Sequence, residues 1–143
     1  PLGPFHQLTD IAGVDWPDRT PRFQVVYHVL SMVSRARLCV KVNLEETEKI
    51  PSIHTLYPCA VWYEREIYDL YGLQFSGHPD LRRLLTDYEF QGHPLRKDFP
   101  LAGTYEVTYN PTTRSVENRP LTDHRPAPPV YHSPWLRPEN SHD

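Results

Sequence analysis

The chain reads as an α+β domain: a mostly antiparallel sheet with one principal helix packed on it, a short helix and loops, and an extended proline-rich C-terminal arm. Three observations predict this. Two segments near the start alternate apolar and polar residues, the period of a half-buried strand. A segment in the middle repeats its apolar residues at helical spacing. The 16 prolines among 143 residues crowd toward the ends, where they exclude helix and central strand. A chain of this length supports one modest core. It divides into a folded domain over 1–116 and an arm over 117–143.

Residues 1–21, broken by Pro4, Pro17 and Pro21, read as an irregular lead-in. In RFQVVYHVL (22–30), Phe23, Val25, Tyr27 and Val29 share one face of a strand. In RLCVKVNL (37–44), Leu38, Val40, Val42 and Leu44 point one way, while Arg37, Cys39, Lys41 and Asn43 point the other. The connection over 31–35 suits a hairpin, with one sheet face on the core and the other more polar. Residues 45–51 read as a charged loop. From Pro58, CAVWYEREIYDLYG places Tyr63, Ile67, Leu70 and Tyr71 on a helical stripe that stops at Gly72. Glu64, Arg65 and Asp69 lie off that stripe, and Arg65 reaches Asp69 at i,i+4. YEVTYNPTTRSV reads as a small hairpin turning at Asn110-Pro111. Beyond it, residues 117–143 are too rich in proline for helix or central strand. They read as a polyproline-II-like arm, with Tyr131, Trp135 and Leu136 as anchors for another surface.

Several function classes lose support. A net charge of −3 without a basic block gives nucleic-acid binding no electrostatic basis. No apolar run approaches the roughly 18–20 residues that span a bilayer. PLGPFHQLTD shows no targeting pattern, and without an initiator methionine it reads as a processed or truncated start. Two cysteines, Cys39 and Cys59, fall short of the four thiolates of an iron–sulfur cluster. Phosphate-loop, dinucleotide and zinc-protease motifs are absent from the sequence.

The tripeptide Gly-His-Pro occurs twice, in GHPDLRRLL (77–85) and GHPLRKDFP (92–100). In the first, Pro79 suits the start of a short helix, with Asp80 at its positive end and Leu81, Leu84 and Leu85 on one face. In the second, Pro100 follows Pro94 so closely that a tight loop with an extended Phe99 is expected. His78 and His93 lack a close third ligand for zinc, and no nucleophile sits in a recognisable setting. Turn-side hydrogen bonding to backbone is the favoured role for both imidazoles. Glu64, Glu66 and Asp69 read first as ion-pair partners of Arg65, Arg82, Arg83, Arg96 or Lys97, ahead of an acid–base pair. A free-standing hydrolase using His93 and Asp98 is the competing reading.

The run WYEREIYDLYGLQFSGHPDLRRLLTDY (62–88) followed by GHPLRKDFPLAG (92–103) resembles the 30-kDa subunit family of respiratory complex I, which includes the counterpart in bacterial NADH:quinone oxidoreductase. The resemblance begins at FHQLTDIAGVDWP (5–17) and RFQVVYHVLS (22–31), runs to Val116, and returns only in SPW (133–135). It implies a structural subunit of the peripheral arm, without catalytic residues, metal or cofactor of its own. FMN and iron–sulfur clusters would sit on other subunits, and electrons would pass from NADH to ubiquinone through the whole complex. The chief partner implied is the 49-kDa subunit at the quinone site, with membrane contact only through the complex. Glu64, Arg65, Glu66, Asp69, His78, Arg82, Arg83, His93, Arg96, Lys97, Asp98, Tyr131 and Trp135 are the expected structural or interface residues. The matrix side of the mitochondrial inner membrane is the expected location, with the cytoplasmic face of a bacterial plasma membrane as the alternative. Two departures stand out. Glu89 occupies a position where the family usually has glycine, and the family's N-terminal part has no counterpart here. A further chain supplying that part, and pairing with a bare edge of the sheet, is therefore expected.

Overall fold

A computed structural model of the chain describes residues 4–121. Their first compact unit, ending at Phe99, holds a three-stranded antiparallel sheet in the order β1-β2-β3. Strand β1 (Gln7–Asp15) is a correction to the sequence reading, which expects an irregular lead-in here. Its alternation is hidden by a register shift between Leu8 and Asp10 that inserts Thr9 as a bulge. Before the bulge Leu8 is buried, and after it Ile11 is, so the inward set changes parity. Strand β2 (Phe23–Ser31) is the central strand, and Phe23, Val25, Tyr27 and Val29 line the core as expected. A turn with Arg35 at φ 55° leads into β3 (Ala36–Leu44).

Strand β3 departs from expectation in a second way. Only Leu44 is buried; Leu38 and Val40 stand 39% and 38% exposed. The helix explains why. Helix α1 (Ala60–Tyr71) lies against β1, at the other side of the sheet. A Cβ on Gly13 would come within 2.7 Å of the Tyr71 ring, so the approach of helix to strand depends on that glycine. The charged stretch 45–51 contains a short strand, β4 (Lys49–Pro51), which pairs in parallel with β5 (Gln74–Ser76) after the helix. Ile50 and Phe75 on this pair join the core with Tyr57, Ile67 and Leu73.

No helix forms after Pro79; residues 77–88 are irregular. The hydrogen bonds that a short helix would make within itself are taken instead by side chains of α1, as described below. The second Gly-His-Pro segment is a turn-rich loop, as expected. The described part of the second unit is an antiparallel hairpin, β6 (Tyr105–Asn110) and β7 (Ser115–Pro120). Residues 117–120, assigned to the arm from sequence, belong to β7, where Glu117 and Asn118 pair with Thr108 and Val107. The prolines that suggested an arm begin at Pro120, the last residue of the strand, where a missing N–H costs little. The arm beyond residue 121 lies outside the described residues.

Candidate functional site

The sequence's charged motif builds a buried polar clamp between α1 and the two Gly-His-Pro segments. On a helix, residues 64, 65 and 69 would normally be solvated if they lay off the apolar stripe. Here Glu64 and Asp69 are 0% exposed and Arg65 is 5% exposed. The expected Arg65–Asp69 pair does not form, because each residue finds partners on the opposing loop.

Asp69 holds the first segment by its backbone. Oδ2 accepts the N–H groups of Leu84, Leu85 and Thr86 at 3.1, 2.7 and 2.8 Å. Oδ1 accepts Arg83 Nη1 at 2.8 Å and the Thr86 hydroxyl. Burial pushes this carboxyl's pKa up, but the hydrogen bonds from Thr86, Leu85 and Arg83 outweigh it and hold the group well below the usual carboxylate range. One turn earlier, Arg65 donates to the carbonyls of Arg82 and Arg83 at 3.2 and 3.0 Å. Its guanidinium lies over the exposed Trp62 ring. Two side chains of one helix thus satisfy both donors and acceptors of residues 82–86, which removes the incentive for a local helix.

Glu64 does the same upstream. It accepts the Ile53 N–H at 2.8 Å and the Ser52 hydroxyl. His78 has no exposed side-chain surface and its Nε2 lies 3.9 Å from Glu64. His78 Nδ1 accepts the Asp80 N–H at 3.1 Å, so the ring proton sits on Nε2 and is donated to the Val61 carbonyl at 3.1 Å.

The second segment closes the far end of the helix. The last four carbonyls of a helix lack intrahelical partners beyond its end. Here Gly72 N–H serves Tyr68, His93 Nδ1 donates to Asp69 at 2.9 Å, Leu95 N–H to Leu70 at 3.1 Å, and Arg96 Nε to Tyr71 at 2.6 Å. The Arg96 cation also suits the negative end of the helix dipole, and it pairs with Glu46. Gly72 sits at φ 79°, and a Cβ there would fall 2.6 Å from both Arg96 Nη2 and His93 Nε2.

A third tie runs to the sheet. Arg22 grips buried Asp15 in a bidentate pair, both bonds 2.7 Å, and Asp15 Oδ2 also accepts the Lys97 N–H at 2.8 Å. Arg22 further reaches Asp98 at 3.0 Å. The Arg22 hydrogen bonds lower the pKa of both aspartates, and those to Asp15 and then Asp98 raise that of Arg22.

Of the residues singled out from sequence, Glu64, Arg65, Asp69, His78, Arg83, His93 and Arg96 come together around α1. Glu66 and Lys97 are exposed, Lys97 taking part only through its backbone. Arg82 is exposed and pairs locally with Asp80 and Tyr88. Tyr131 and Trp135 lie outside the described residues. Asp98 binds Arg22 and His93 binds the helix end, so neither is available to the other as a hydrolytic pair. Sequence reasoning does not single out Asp15, Arg22, Ser52 and Thr86. Their only sequence signal is a polar residue inside or beside an apolar run, which does not name a partner. Both cysteines are free and exposed, and no group of three or more His, Cys, Asp or Glu among the described residues could hold a metal ion. No described helix is long and apolar enough to cross a membrane.

The family described as "Respiratory-chain NADH dehydrogenase, 30 Kd subunit" matches residues 2–105. An NADH-quinone oxidoreductase subunit of Methylobacterium sp. (strain 4-46) is 56% identical over 117 residues, covering 82% of this chain and 54% of that protein. The equivalent protein of Caulobacter vibrioides is 53% identical over 117 residues, covering 82% of this chain and 59% of that protein. The chain therefore spans a little over half the length of these relatives. Among solved structures, a chain of the membrane-bound sulfane sulfur reductase, an archaeal respiratory membrane complex, superposes with a TM-score of 0.62 at 29% identity. That match covers 69% of this chain and 61% of the other.

Proposed function

The chain belongs to the family of the 30-kDa subunit of respiratory-chain NADH dehydrogenase, and from that premise we propose a structural, non-redox role in the peripheral arm of a proton-pumping NADH:quinone oxidoreductase. It binds no cofactor of its own and packs against the 49-kDa subunit at the quinone site. Electron transfer from NADH to quinone belongs to the whole complex, whose FMN and clusters sit on other subunits. One observation carries the reading: the buried polar side chains of Glu64, Arg65, Asp69 and His78 are engaged by the chain's own loops and backbone. A clamp of this kind fixes the shape of a surface; it leaves no activated nucleophile or base facing a substrate. That surface displays Trp62, Leu85, Tyr88 and Arg82, all exposed and close to the clamp. Trp, Tyr and Arg are the residue types enriched where protein interfaces concentrate their binding energy.

The bacterial relatives favour the cytoplasmic face of a bacterial plasma membrane over the mitochondrial matrix side. Membrane association would come through the complex. An Arg96→Ala chain expressed in place of the natural one tests the role. The amount of NADH-oxidising complex on a native gel should fall several-fold, because the helix end loses its cap, while quinone turnover per assembled complex stays unchanged. A normal amount of complex with slowed quinone reduction would instead place this chain in the chemistry.

A further inference from the structure

The face of the three-stranded sheet turned away from the core carries a cluster that no single stretch of sequence shows. Antiparallel pairing sets Asp10 opposite His28 and His28 opposite Cys39, so the three form one row across β1, β2 and β3. All three are exposed. Directly opposed residues of antiparallel strands hold their Cβ atoms about 4.5–5.5 Å apart, which puts an imidazole beside the thiol. On β3 itself, Arg37 and Lys41 flank Cys39 two residues to either side, exposed and on the same face. Along a strand, that spacing is about 7 Å between Cα atoms. Asp10, the one acidic residue on this face of the three strands, is two strands from Cys39, at about 10 Å. The thiol therefore stands nearer to two cations than to the carboxylate.

A hollow of about 360 Å³ adjoins the row, and its lining includes Thr9, Asp10, His28 and Arg37. The Thr9 hydroxyl donates to the His28 carbonyl at 2.9 Å and ties the bulge of β1 to this part of β2. The volume falls within the range of about 300–1,000 Å³ typical of small-molecule sites. A thiol reacts as its thiolate, which neighbouring cations and an adjacent base favour. The face thus brings together a nucleophile, a proton acceptor, positive charge and room for an incoming molecule. The clamp around α1 uses none of these groups.

We propose that Cys39 is a modification site, which forms a mixed disulfide with a small disulfide that carries carboxylate groups. The Cys39 thiol passes its proton to His28, and its Sγ attacks one sulfur of the incoming molecule. The new S–S bond forms as the old one breaks, and the departing thiolate keeps the electron pair and takes the proton from His28. Cys39 is oxidised, and half of the small disulfide is reduced to a thiol. Arg37 and Lys41 receive the carboxylates. The other cysteine lacks this setting. Cys59 is exposed at the start of α1, where the helix end favours a thiolate, but residues 54–63 contain no lysine or arginine to attract an anion.

The test uses the full chain with one cysteine at a time, as Cys59→Ser and Cys39→Ser, and two disulfide probes. Dithiobis(nitrobenzoate) carries a carboxylate on each half, and dithiodipyridine is neutral. Toward the anionic probe, Cys39 should react at least ~10-fold faster than Cys59. The excess should shrink with the neutral probe, and with either probe in about 1 M salt. Arg37→Gln together with Lys41→Gln should remove the preference of Cys39 for the anionic probe, whereas His28→Gln should slow both probes alike. The ratio of the two probes is taken within each variant, so a general loss of stability does not imitate the first result. A Cys59 that reacts as fast as Cys39 would overturn the proposal, and so would an anionic preference that survives the loss of both cations. In the assembled protein from its source, glutathione disulfide should add a glutathionyl group at Cys39, read by mass spectrometry of the digested chain. A Cys39 that stays unmodified there, covered by a neighbouring subunit, would equally sink the assignment and leave the structural role standing.

Discussion

Helix α1 and strand β3 treat their side chains in opposite ways. The helix buries Glu64, Arg65 and Asp69, charges that ordinarily stay in water, while the strand leaves Leu38 and Val40 exposed. The difference follows from what the chain brings to each. Residues 52–53 and loops 77–88 and 92–98 fold back on α1 and offer a hydroxyl, N–H groups, carbonyls and an opposing guanidinium, so each buried charge is satisfied. Nothing among the described residues folds back on β3 in the same manner. Burial in this protein is thus decided by the supply of partners more than by the polarity of the residue. Perturbing the clamp should be costly, and perturbing β3 in the chain alone should be cheap.

The largest effect should come from Asp69→Asn. The substitution keeps the shape but sets an amide N–H₂ among five donors and leaves Arg83 facing no charge. Breaking a buried pair in this manner costs about 3–5 kcal/mol, read as a loss of unfolding free energy in denaturant titration. A cost below about 1 kcal/mol would mean that the clamp is solvated and the contrast with β3 unfounded.

Gly72→Ala should cost about 2 kcal/mol. A left-handed backbone costs a side-chain-bearing residue roughly 1–2 kcal/mol, and the new methyl group must also displace Arg96 and His93 from the helix end. Amide exchange should then quicken at Leu95, whose N–H caps the Leu70 carbonyl. If exchange rises only at Gly72 itself, the cap is less cooperative than the geometry suggests.

Acid should weaken the clamp before the sheet. Asp15 and Asp69 titrate below the ordinary carboxylate range in the folded chain. Below about pH 4, where unfolded aspartates begin to protonate, the unfolded state binds more protons and stability falls with pH. The stability contributed by both groups is therefore fully present above that value and lost as pH drops through their depressed pKa values. The Asp69→Asn chain should show a flatter decline between about pH 4 and pH 2. Equal slopes for both chains would show that Asp69 is not the group responsible.

How much of this contrast is legible in the sequence depends on whether a residue's partner is local. Helix α1, its stop at Gly72 and strands β2 and β3 announce themselves by period, because their pattern is written in neighbouring residues. Of the ion pairs read for the helix carboxylates, Asp69 with Arg83 forms, whereas Glu64 turns to Ser52 and Ile53, and both histidines bond to backbone. Strand β1 escapes a search for alternation because one bulge residue, Thr9, breaks the period. The short helix expected after Pro79 does not form because propensity cannot see Asp69 and Arg65 claiming the same backbone groups from fifteen or more residues away. The exposure of β3 is equally illegible, since its apolar face is a sound one and only the position of α1 leaves it bare.

The smallest expected effect isolates that last point with a matched pair. Val25 and Val40 both point to the inner face of the sheet, on neighbouring strands, but Val25 is 0% exposed and Val40 is 38% exposed. Threonine replaces valine with nearly the same volume and adds one hydroxyl that needs a hydrogen-bond partner. At Val25 that hydroxyl would be sealed within the apolar cluster to which the residue belongs, where an unpartnered polar group costs about 1–3 kcal/mol. At Val40 water can reach it, so the cost in the chain alone should stay within about 0.5 kcal/mol, the range of ordinary surface substitutions. In the assembled protein the two positions should converge, since a segment covering β3 would seal the hydroxyl at Val40 too, and the amount of complex on a native gel should then fall for both variants. If Val40→Thr is as costly as Val25→Thr in the chain alone, β3 is already covered by residues of this chain. If it remains silent in the assembly, the face of β3 stays open to water there, and the opposition between clamp and strand is a permanent feature of the protein.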